Sequence, residues 1–243
     1  PDRYDEKNGS VPGDGGNGLG VRFSAPRKIF IFVILCLPST AGGSAVSGSL
    51  PHSKTAMMSK RNKLEKFAEL LTFPNVYENF NPTDPQLIGL NGAEVDLRGS
   101  WAVEHFGNDR PIVLELACGR GEYTLGLARR YPDRNFIGVD IKGARIWKGA
   151  RTALRENLVN AAFLRTRIEQ IAAFFAPGEV AEIWITFPDP FLRKNKANRR
   201  LTAPRFLAEY RKILQPGGLI HLKTDEPNLY EFTLQVLGET KGT

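Results

Sequence analysis

Apolar and polar residues follow a repeating order from residue 112 onward, in which short apolar runs alternate with segments of helical periodicity. The apolar runs predict five strands: Ile112 to Ala117, Asn135 to Val139, Ala161 to Arg165, Ala181 to Phe187 and Gly218 to Thr224. Strands that alternate with helices favour a parallel sheet covered by helices on both faces. We therefore predict one α/β domain over residues 111–243.

The pattern is different before residue 111. Residues 60–71 carry Leu64, Phe67, Ala68 and Leu71 at helical spacing, which predicts an amphipathic helix. Residues 73–107 contain many turn-forming residues and little periodicity, so we expect an irregular arm there. Residues 57–110 are thus a helix and an arm that lead to the domain.

Residues 1–56 have the composition of a tail. Stretches rich in Gly, Asn and Asp, or in Ser, Gly and Ala, cannot bury enough apolar area to fold. Nine apolar residues at 29–37 follow a basic pair and imitate a secretory signal, but roughly 20 are needed to span a bilayer. No methionine precedes Met57. We expect a disordered or non-native extension rather than an export signal or a membrane segment.

The first predicted strand of the domain ends in a glycine-spaced turn, Glu115-Leu-Ala-Cys-Gly-Arg-Gly-Glu122, that opens into a helix. A strand, a tight loop and a helix N-terminus in this order form a cofactor cradle, in which Gly119 and Gly121 allow close approach. Asp140 ends the next strand about 20 residues later, where a carboxylate accepts hydrogen bonds from a ribose diol. The residues indicate a nucleoside-containing cofactor; the alternative is an ordinary strand–turn–helix of an unrelated α/β protein.

Two residues discriminate between cofactors. A dinucleotide fingerprint needs a third glycine, and Thr124 occupies that position, which disfavours a nicotinamide cofactor. Glu115 can hold an amino-bearing, cationic ligand, which favours S-adenosyl-L-methionine and methyl transfer over hydride transfer. After the third strand, where a carboxylate often contacts adenine, the chain has Thr166 or Arg167, so we predict no carboxylate contact there.

A second group of candidate residues follows the fourth strand. Prolines on both sides of Asp189 stop the strand and present the carboxylate at the carboxyl edge of the sheet, where ligands bind in open α/β folds. A structural turn aspartate is the alternative. Five cations follow within eight residues: Arg193, Lys194, Lys196, Arg199 and Arg200. Such a cluster suits a phosphate backbone, although a solvated loop would look the same. Asp225, after the fifth strand, offers another carboxylate at this edge.

Charge and cysteine content narrow the setting. The formal net charge of +7 and a pI near 9.5 favour a polyanionic partner. The helix after Asp140 is predicted to place Trp147, Ala150, Leu154 and Leu158 on one face. Its adjoining side is basic, at Arg145, Lys148, Arg151 and Arg155, and a solvated face is the favoured interpretation of that side. Cys36 and Cys118 match no metal spacing or disulfide framework. We therefore expect no metal site and a reducing, cytoplasmic location.

Four motifs together resemble the bacterial tRNA (guanine-N7-)-methyltransferase family. They are the glycine turn, Gly138-Val-Asp140, Phe187-Pro-Asp-Pro190 with its basic run to Leu201, and Pro216-Gly-Gly-Leu-Ile-His-Leu-Lys-Thr-Asp225. The resemblance covers the chain from about Met58 to its C-terminus. The Phe-Pro-Asp-Pro segment is its most specific part, since methyltransferases in general share the glycine turn.

The resemblance implies a Rossmann-like class I methyltransferase fold that moves a methyl group from S-adenosyl-L-methionine to N7 of a guanine in the tRNA variable loop. By motif position, Glu115 and Asp140 would hold the cofactor, Asp189 would be the active-site acid, and Arg193 and Asp225 would contact tRNA. We hypothesise that Asp189 accepts hydrogen bonds from the guanine N1–H and amino group, because N7 itself needs no proton removed. A non-catalytic RNA-binding protein of this fold and, less favoured, a nicotinamide-dependent oxidoreductase remain alternatives.

Three departures from the family pattern bear on these expectations. Ala117 replaces the usual first glycine of the turn, and Phe191 stands where many members have tryptophan. Members of the fold usually finish with an antiparallel pair of strands, whereas this chain ends at Thr243, soon after a predicted helix around Leu229 to Leu237. We therefore expect the C-terminal strands to be missing and one sheet edge to be unpaired.

Overall fold

The computed structural model describes residues 18–22, 30–35 and 63–239, which contain ten strands and five α-helices. The strands are β1 (Gly18–Arg22), β2 (Phe30–Leu35), β3 (Val76–Glu78), β4 (Leu87–Ile88), β5 (Glu94–Val95), β6 (Ile112–Leu116), β7 (Asn135–Asp140), β8 (Ala161–Arg165), β9 (Val180–Thr186) and β10 (Leu214–Thr224). The helices are α1 (Lys63–Leu70), α2 (Glu122–Arg130), α3 (Gly143–Arg155), α4 (Pro204–Ile213) and α5 (Pro227–Glu239). Short 3-10 helices span Leu90–Gly92, Ile168–Ala173 and Lys194–Arg199, and a π-helical turn spans Trp101–His105.

All ten strands form one sheet in the order β1-β2-β10-β9-β6-β7-β8-β3-β4-β5. The five central strands, β10 to β8, are mutually parallel, and they are the five predicted from the sequence. The chain first winds outward through β7 and β8 and then returns to the other side of β6 through β9 and β10. This order is that of a doubly wound, Rossmann-like sheet, whose binding crevice lies where the winding direction reverses, at the carboxyl ends of β6 and β9.

Apolar side chains on the two faces of the sheet form two separate clusters. Leu114 and Ile183 belong to a cluster that includes Tyr210 of α4, whereas Val113 and Phe136 belong to one that includes α2 and α3 side chains. Consecutive residues of a strand point to opposite faces, which is why neighbours such as Val113 and Leu114 are divided in this way. The prediction of helices on both faces is confirmed.

Helix α3 buries a slightly different face from the one predicted. Its buried apolar residues are Ile146, Trp147, Ala150 and Ala153. Leu154, which the sequence analysis assigned to the same face as Trp147, is 39% exposed. The packed face of α3 is therefore marked by the small residues Ala150 and Ala153 and not by Leu154. After β8 the chain forms the 3-10 helix Ile168–Ala173.

The arm before the domain is more regular than expected. Strand β3 pairs parallel with β8, and β4 and β5 extend the sheet by antiparallel pairing. All three residues of β3 are buried, including the carboxylate-bearing Glu78, which forms an ion pair with Arg165. The prediction of an irregular arm was therefore wrong for these strands. Elements of two or three residues are too short to show a periodicity.

The prediction that residues 1–56 carry no folded structure was wrong for eleven of them. Strand β2 pairs parallel with β10, from Phe30 beside Leu219 to Leu35 beside Thr224, and β1 pairs antiparallel with β2. The edge of β10 that we expected to be unpaired is thus occupied. A run of apolar, β-favouring residues such as 30–35 suits this position. The remainder of 1–56 lies outside the described residues, and whether the extension is native stays a prediction.

Among the described residues, no helix is both long and apolar enough to cross a membrane.

Candidate active site

The glycine loop, residues 117–121, connects β6 to α2 and has three residues in the left-handed region. Their φ angles are 58° at Ala117, 60° at Gly119 and 73° at Gly121. A Cβ atom on Gly121 would lie 2.6 Å from Cε1 of Phe163, and one on Gly149 of α3 would lie 2.6 Å from the Arg120 carbonyl oxygen. An added Cβ on Gly119, in contrast, would meet nothing within 4 Å. The loop is therefore packed tightly from behind and has open space at Gly119.

Glu115 lies beneath this loop and is 4% exposed. Its Oε2 accepts hydrogen bonds from the backbone N–H of Thr124, at 2.7 Å, and from the Thr124 hydroxyl. Its Oε1 accepts a hydrogen bond from the Thr186 hydroxyl, at 2.8 Å. Burial raises the pKa of the Glu115 carboxyl above its usual range, although the hydrogen bonds from Thr124 and Thr186 oppose the shift. The side chain thus joins β6 to the first turn of α2 and to the end of β9.

Asp140, at the end of β7, uses both carboxylate oxygens within the protein. Oδ2 accepts a hydrogen bond from the N–H of Gly119, at 2.9 Å, and Oδ1 accepts one from the N–H of Lys142, at 2.8 Å. The residue is buried. It therefore fixes the glycine loop on one side and the start of α3 on the other.

Cys118 occupies the middle of the glycine loop and is fully enclosed. Its N–H donates to the carbonyl of Val139, at 3.0 Å. Burial, followed by the nearby carboxylates of Glu115, Asp140 and Glu122, raises the pKa of the thiol well above its usual range. The cysteine is consequently a packing residue whose thiol ionises less readily than a free one.

The position after β8 is occupied by Thr166, which is buried, whereas Arg167 is exposed. The Thr166 hydroxyl accepts a hydrogen bond from Nδ2 of Asn79, at 3.2 Å, and the Thr166 N–H donates to the Asp140 carbonyl. Sequence reasoning missed Asn79, because the arm shows no periodicity that would place it beside β8.

Residues 187–191, the Asp189 turn, follow β9 at the same edge of the sheet. Phe187 and Phe191 both have positive φ angles, 46° and 42°, on either side of the two prolines. Asp189 is exposed, and its Oδ1 accepts a hydrogen bond from the N–H of Phe191, at 2.9 Å. Each left-handed residue with a Cβ costs about 1–2 kcal/mol, so the surrounding structure must hold this turn in place.

Asp225 is also exposed and directly follows β10, the neighbour of β9. The two strands are in register at Thr186 and Lys223, and the N–H of Phe187 donates to the Lys223 carbonyl, at 2.8 Å. The structure therefore brings both predicted carboxylates to adjacent strand ends.

An aromatic pair that the sequence did not reveal lies between the glycine loop and the Asp189 turn. The ring centroids of Tyr123, in the first turn of α2, and Phe187 are 6.3 Å apart. The Lys223 ammonium lies 5.5 Å from the Tyr123 centroid and 5.8 Å from that of Phe187. Phe187 is 45% exposed. Tyr123, Phe187 and Lys223 come from three segments that are distant in sequence, so no local pattern predicts this contact.

The predicted basic run divides into two groups. Arg193, Lys194 and Arg199 are exposed and Lys196 is partly exposed, in and beside the 3-10 helix Lys194–Arg199. Arg200 is only 7% exposed. The prediction that all five cations face the substrate is therefore not met at Arg200, whose guanidinium is turned into the protein.

Comparison with known proteins identifies the relatives of this arrangement. Residues 109–242 match a family model described as a putative methyltransferase, which covers more than half of the chain. A tRNA (guanine-N(7)-)-methyltransferase of Bacteroides thetaiotaomicron is 52% identical over 173 residues, 71% of this chain and 66% of that protein. One of Christiangramia forsetii is 49% identical over 180 residues, 74% of this chain and 78% of that protein. The chain belongs to the tRNA (guanine-N7-)-methyltransferase family.

Membership of the tRNA (guanine-N7-)-methyltransferase family confirms the resemblance found in the sequence. The chain spans about two thirds of the length of the first curated relatives it matches. The solved structure of an aminoglycoside resistance methyltransferase, NpmB1, aligns with a TM-score of 0.47 and 21% identity, over 64% of this chain and 73% of its own.

Within the described residues, no group of three or more His, Cys, Asp or Glu side chains could hold a metal ion.

Proposed function

We propose that this chain transfers a methyl group from S-adenosyl-L-methionine to N7 of a guanine in the variable loop of tRNA. The observation that carries the proposal is the adjacency of two different sites at one sheet edge. A cradle with buried carboxylates lies at the ends of β6 and β7, and an exposed acid with a basic loop lies at the ends of β9 and β10. Family membership supports the same conclusion.

The hydrogen-bonding capacity of the cradle fits the cofactor. A carboxylate offers about four lone-pair sites. Glu115 accepts three hydrogen bonds within the protein and Asp140 accepts two. One free site at Glu115 suits an ammonium donor, and two at Asp140 suit the two hydroxyls of a ribose. S-adenosyl-L-methionine carries both groups and supplies the electrophilic methyl. Gly119 leaves room for its approach, and Gly121 lets the loop pack against Phe163.

The substrate side fits a purine that needs no proton removed. N7 of guanine carries a lone pair on the base edge, so the protein has to position the base rather than deprotonate it. The free oxygen of Asp189 can accept hydrogen bonds from the N1–H and the exocyclic amino group. Its negative charge then offsets the positive charge that develops on the ring. The exposed ring of Phe187, two residues away, is suited to stack on the base.

The exposed cations suit the sugar–phosphate backbone of tRNA. Arg193, Lys194, Lys196 and Arg199 lie beside Asp189, and each phosphate they neutralise releases a counterion. Because tRNA is found in the cytoplasm, we propose that the reaction takes place there.

A nicotinamide-dependent reaction is not favoured. The hydroxyl and the N–H of Thr124, at the position of the third glycine of a dinucleotide site, are both engaged by Glu115. The third glycine of a dinucleotide site lets the helix pack closely on the strand, and here a buried, hydrogen-bonded threonine takes its place.

The proposal is tested by incubating the full chain with methyl-labelled S-adenosyl-L-methionine and bulk tRNA, then digesting the tRNA and separating the nucleosides. We expect the label in 7-methylguanosine, and we expect the Asp189→Asn variant to lose most of it. Label in another nucleoside would overturn the proposed reaction. Binding of tRNA without binding of the cofactor, measured by calorimetry, would instead identify a non-catalytic RNA-binding protein.

A further inference from the structure

Arg200 differs from the other cations of the basic run in where its charge lies. Its guanidinium donates from Nε to the Pro190 carbonyl, at 2.9 Å, and from a terminal nitrogen to the Phe191 carbonyl, at 3.3 Å. Its centre is 4.5 Å from the ring centroid of Phe232 in α5. Because the side chain is only 7% exposed, little of the guanidinium is available to a phosphate, unlike the exposed guanidiniums of Arg193 and Arg199.

The two carbonyls belong to the turn that presents Asp189. They follow that residue immediately, and the N–H of Phe191 is the group that binds Oδ1 of Asp189. Arg200 therefore holds the same peptide units that orient the carboxylate. The turn needs such a restraint, because Phe187 and Phe191 are both held in a left-handed conformation.

The second support of Arg200 is α5. Phe232 lies against the guanidinium, and the next residue, Thr233, shares a hydrogen bond of 2.8 Å with Thr202, two residues after Arg200. The helix is seated on the core through Leu229, Val236 and Leu237, all buried. The guanidinium of Arg200 thus contacts both parts: its N–H groups donate to the turn, and its planar face rests on Phe232 of α5. A shift of α5 would therefore move the turn.

We propose that Arg200 is a positioning residue, which clamps the Asp189 turn to α5 and does not bind tRNA phosphate. The rate of methyl transfer then depends on how α5 is seated against the sheet. This inference rests on the proposed function for its kinetic consequences, but not for its structural ones.

The kinetic test compares the same conservative change at two arginines, Arg200→Lys and, as the control, Arg211→Lys at an exposed position of α4 outside the site. Lysine keeps the positive charge but cannot donate to two carbonyls in a fixed fork or rest its plane on a ring. We expect Arg200→Lys to lower kcat about 10- to 100-fold, with KM for tRNA and the salt dependence of binding unchanged. Arg211→Lys should leave kcat close to wild type. A rise in KM at unchanged kcat for Arg200→Lys would show a phosphate ligand and overturn the proposal.

A second variant tests the same contact from the side of α5, in case Arg200→Lys does not fold. Phe232→Leu keeps an apolar side chain on α5 and removes the ring under Arg200. We expect the same kcat effect, several-fold smaller, and the double variant should lose less than the product of the two single losses because both changes break one contact chain. Fully multiplicative losses would contradict the clamp.

Hydrogen exchange at the Phe191 amide, measured by NMR, gives a readout that does not need activity. Exchange should be at least several-fold faster in Arg200→Lys and in Phe232→Leu than in the wild type or in Arg211→Lys. Unchanged exchange in both variants would overturn the clamp even if the enzyme were active. A wild-type chain that makes no 7-methylguanosine, yet shows the faster exchange in the variants, would overturn the proposed function alone.

Discussion

The two halves of the site differ in whether their carboxylates are buried or exposed. At the ends of β6 and β7, Glu115 and Asp140 are buried and bind protein groups. At the ends of β9 and β10, Asp189 and Asp225 are exposed, next to exposed cations. A small ligand can be held by a few prearranged groups in a dry cradle, whereas a large polyanion meets charges that are still in water. The comparison indicates that the cofactor half is organised for fit and the substrate half for access.

The largest effect on the rate of methyl transfer is expected at Asp189, in the exposed half of the site. Asparagine keeps the oxygen that accepts the Phe191 N–H, so the turn should persist, but the charge facing the base is lost. We expect Asp189→Asn to lower the single-turnover rate about 100- to 1000-fold, with thermal stability and tRNA affinity unchanged. Full turnover with intact tRNA binding would show that Asp189 does not orient the base.

At Glu115, in contrast to Asp189, removing the carboxylate should lower the free energy of unfolding. Glu115→Ala leaves three donors without an acceptor, at about 1 kcal/mol each, so the free energy of unfolding should fall by about 3 kcal/mol. Glu115→Gln keeps the shape and an acceptor and should cost far less, while the affinity for S-adenosyl-L-methionine falls about tenfold or more. Urea denaturation and calorimetry measure the two effects.

The Glu115→Gln variant also gives a pH dependence. The pKa of Glu115 is raised on folding, so its contribution to stability is fully present below pH 4.5, its unperturbed value, and declines as the pH rises through the raised pKa. Glutamine has no such decline. The difference in free energy of unfolding should therefore move in favour of the variant as the pH rises above 4.5, and a constant difference would contradict the raised pKa.

The exposed cations should act on affinity alone. Replacing Arg193 and Lys194 by alanine should raise KM for tRNA roughly tenfold and reduce the slope of log affinity against log salt by about 0.7–0.9 for each cation that meets a phosphate. Stability should not change. The matched control removes two exposed cations of α3, Arg145 and Lys148. An equal loss in the control would show that tRNA senses overall charge rather than the basic loop.

The smallest expected effect concerns Ala117, which has a φ angle of 58° in the glycine loop. Glycine adopts this conformation without strain, so Ala117→Gly should raise the free energy of unfolding by about 1 kcal/mol. A lower melting temperature would mean that the loop gains more from the stiffness of alanine than it loses by strain. A stabilised variant with slower methyl transfer would show that the cofactor half also depends on strain.

The sequence predicted those parts of the molecule that local patterns determine. The five central strands, the glycine loop and the positions of Asp140 and Asp189 follow from alternating apolar runs and from turn residues, and the structure has them at the expected strand ends. The family was also identified from these motifs.

The remainder depends on contacts between distant segments. Thr186 lies 71 residues from Glu115, and Asn79 lies 87 residues from Thr166, so neither partnership leaves a spacing to detect. Arg200 belongs to the same basic run as Arg199, and its contacts with the Asp189 turn and with α5, which are distant in sequence, distinguish it as the buried one. The strands β1 to β5 are short or compositionally unusual, and their pairing depends on the sheet edges that the central strands provide.

The enclosure of Cys118 has a practical consequence for handling and labelling the protein. Its thiol lies in the middle of the glycine loop, where oxidation or alkylation would be expected to destroy cofactor binding. Because the sulfur is buried and its pKa is raised, it forms little thiolate and offers no path to a reagent. Maleimide dyes added to the folded chain should therefore leave Cys118 unmodified. Inhibitors of this site cannot rely on reaction with its thiol.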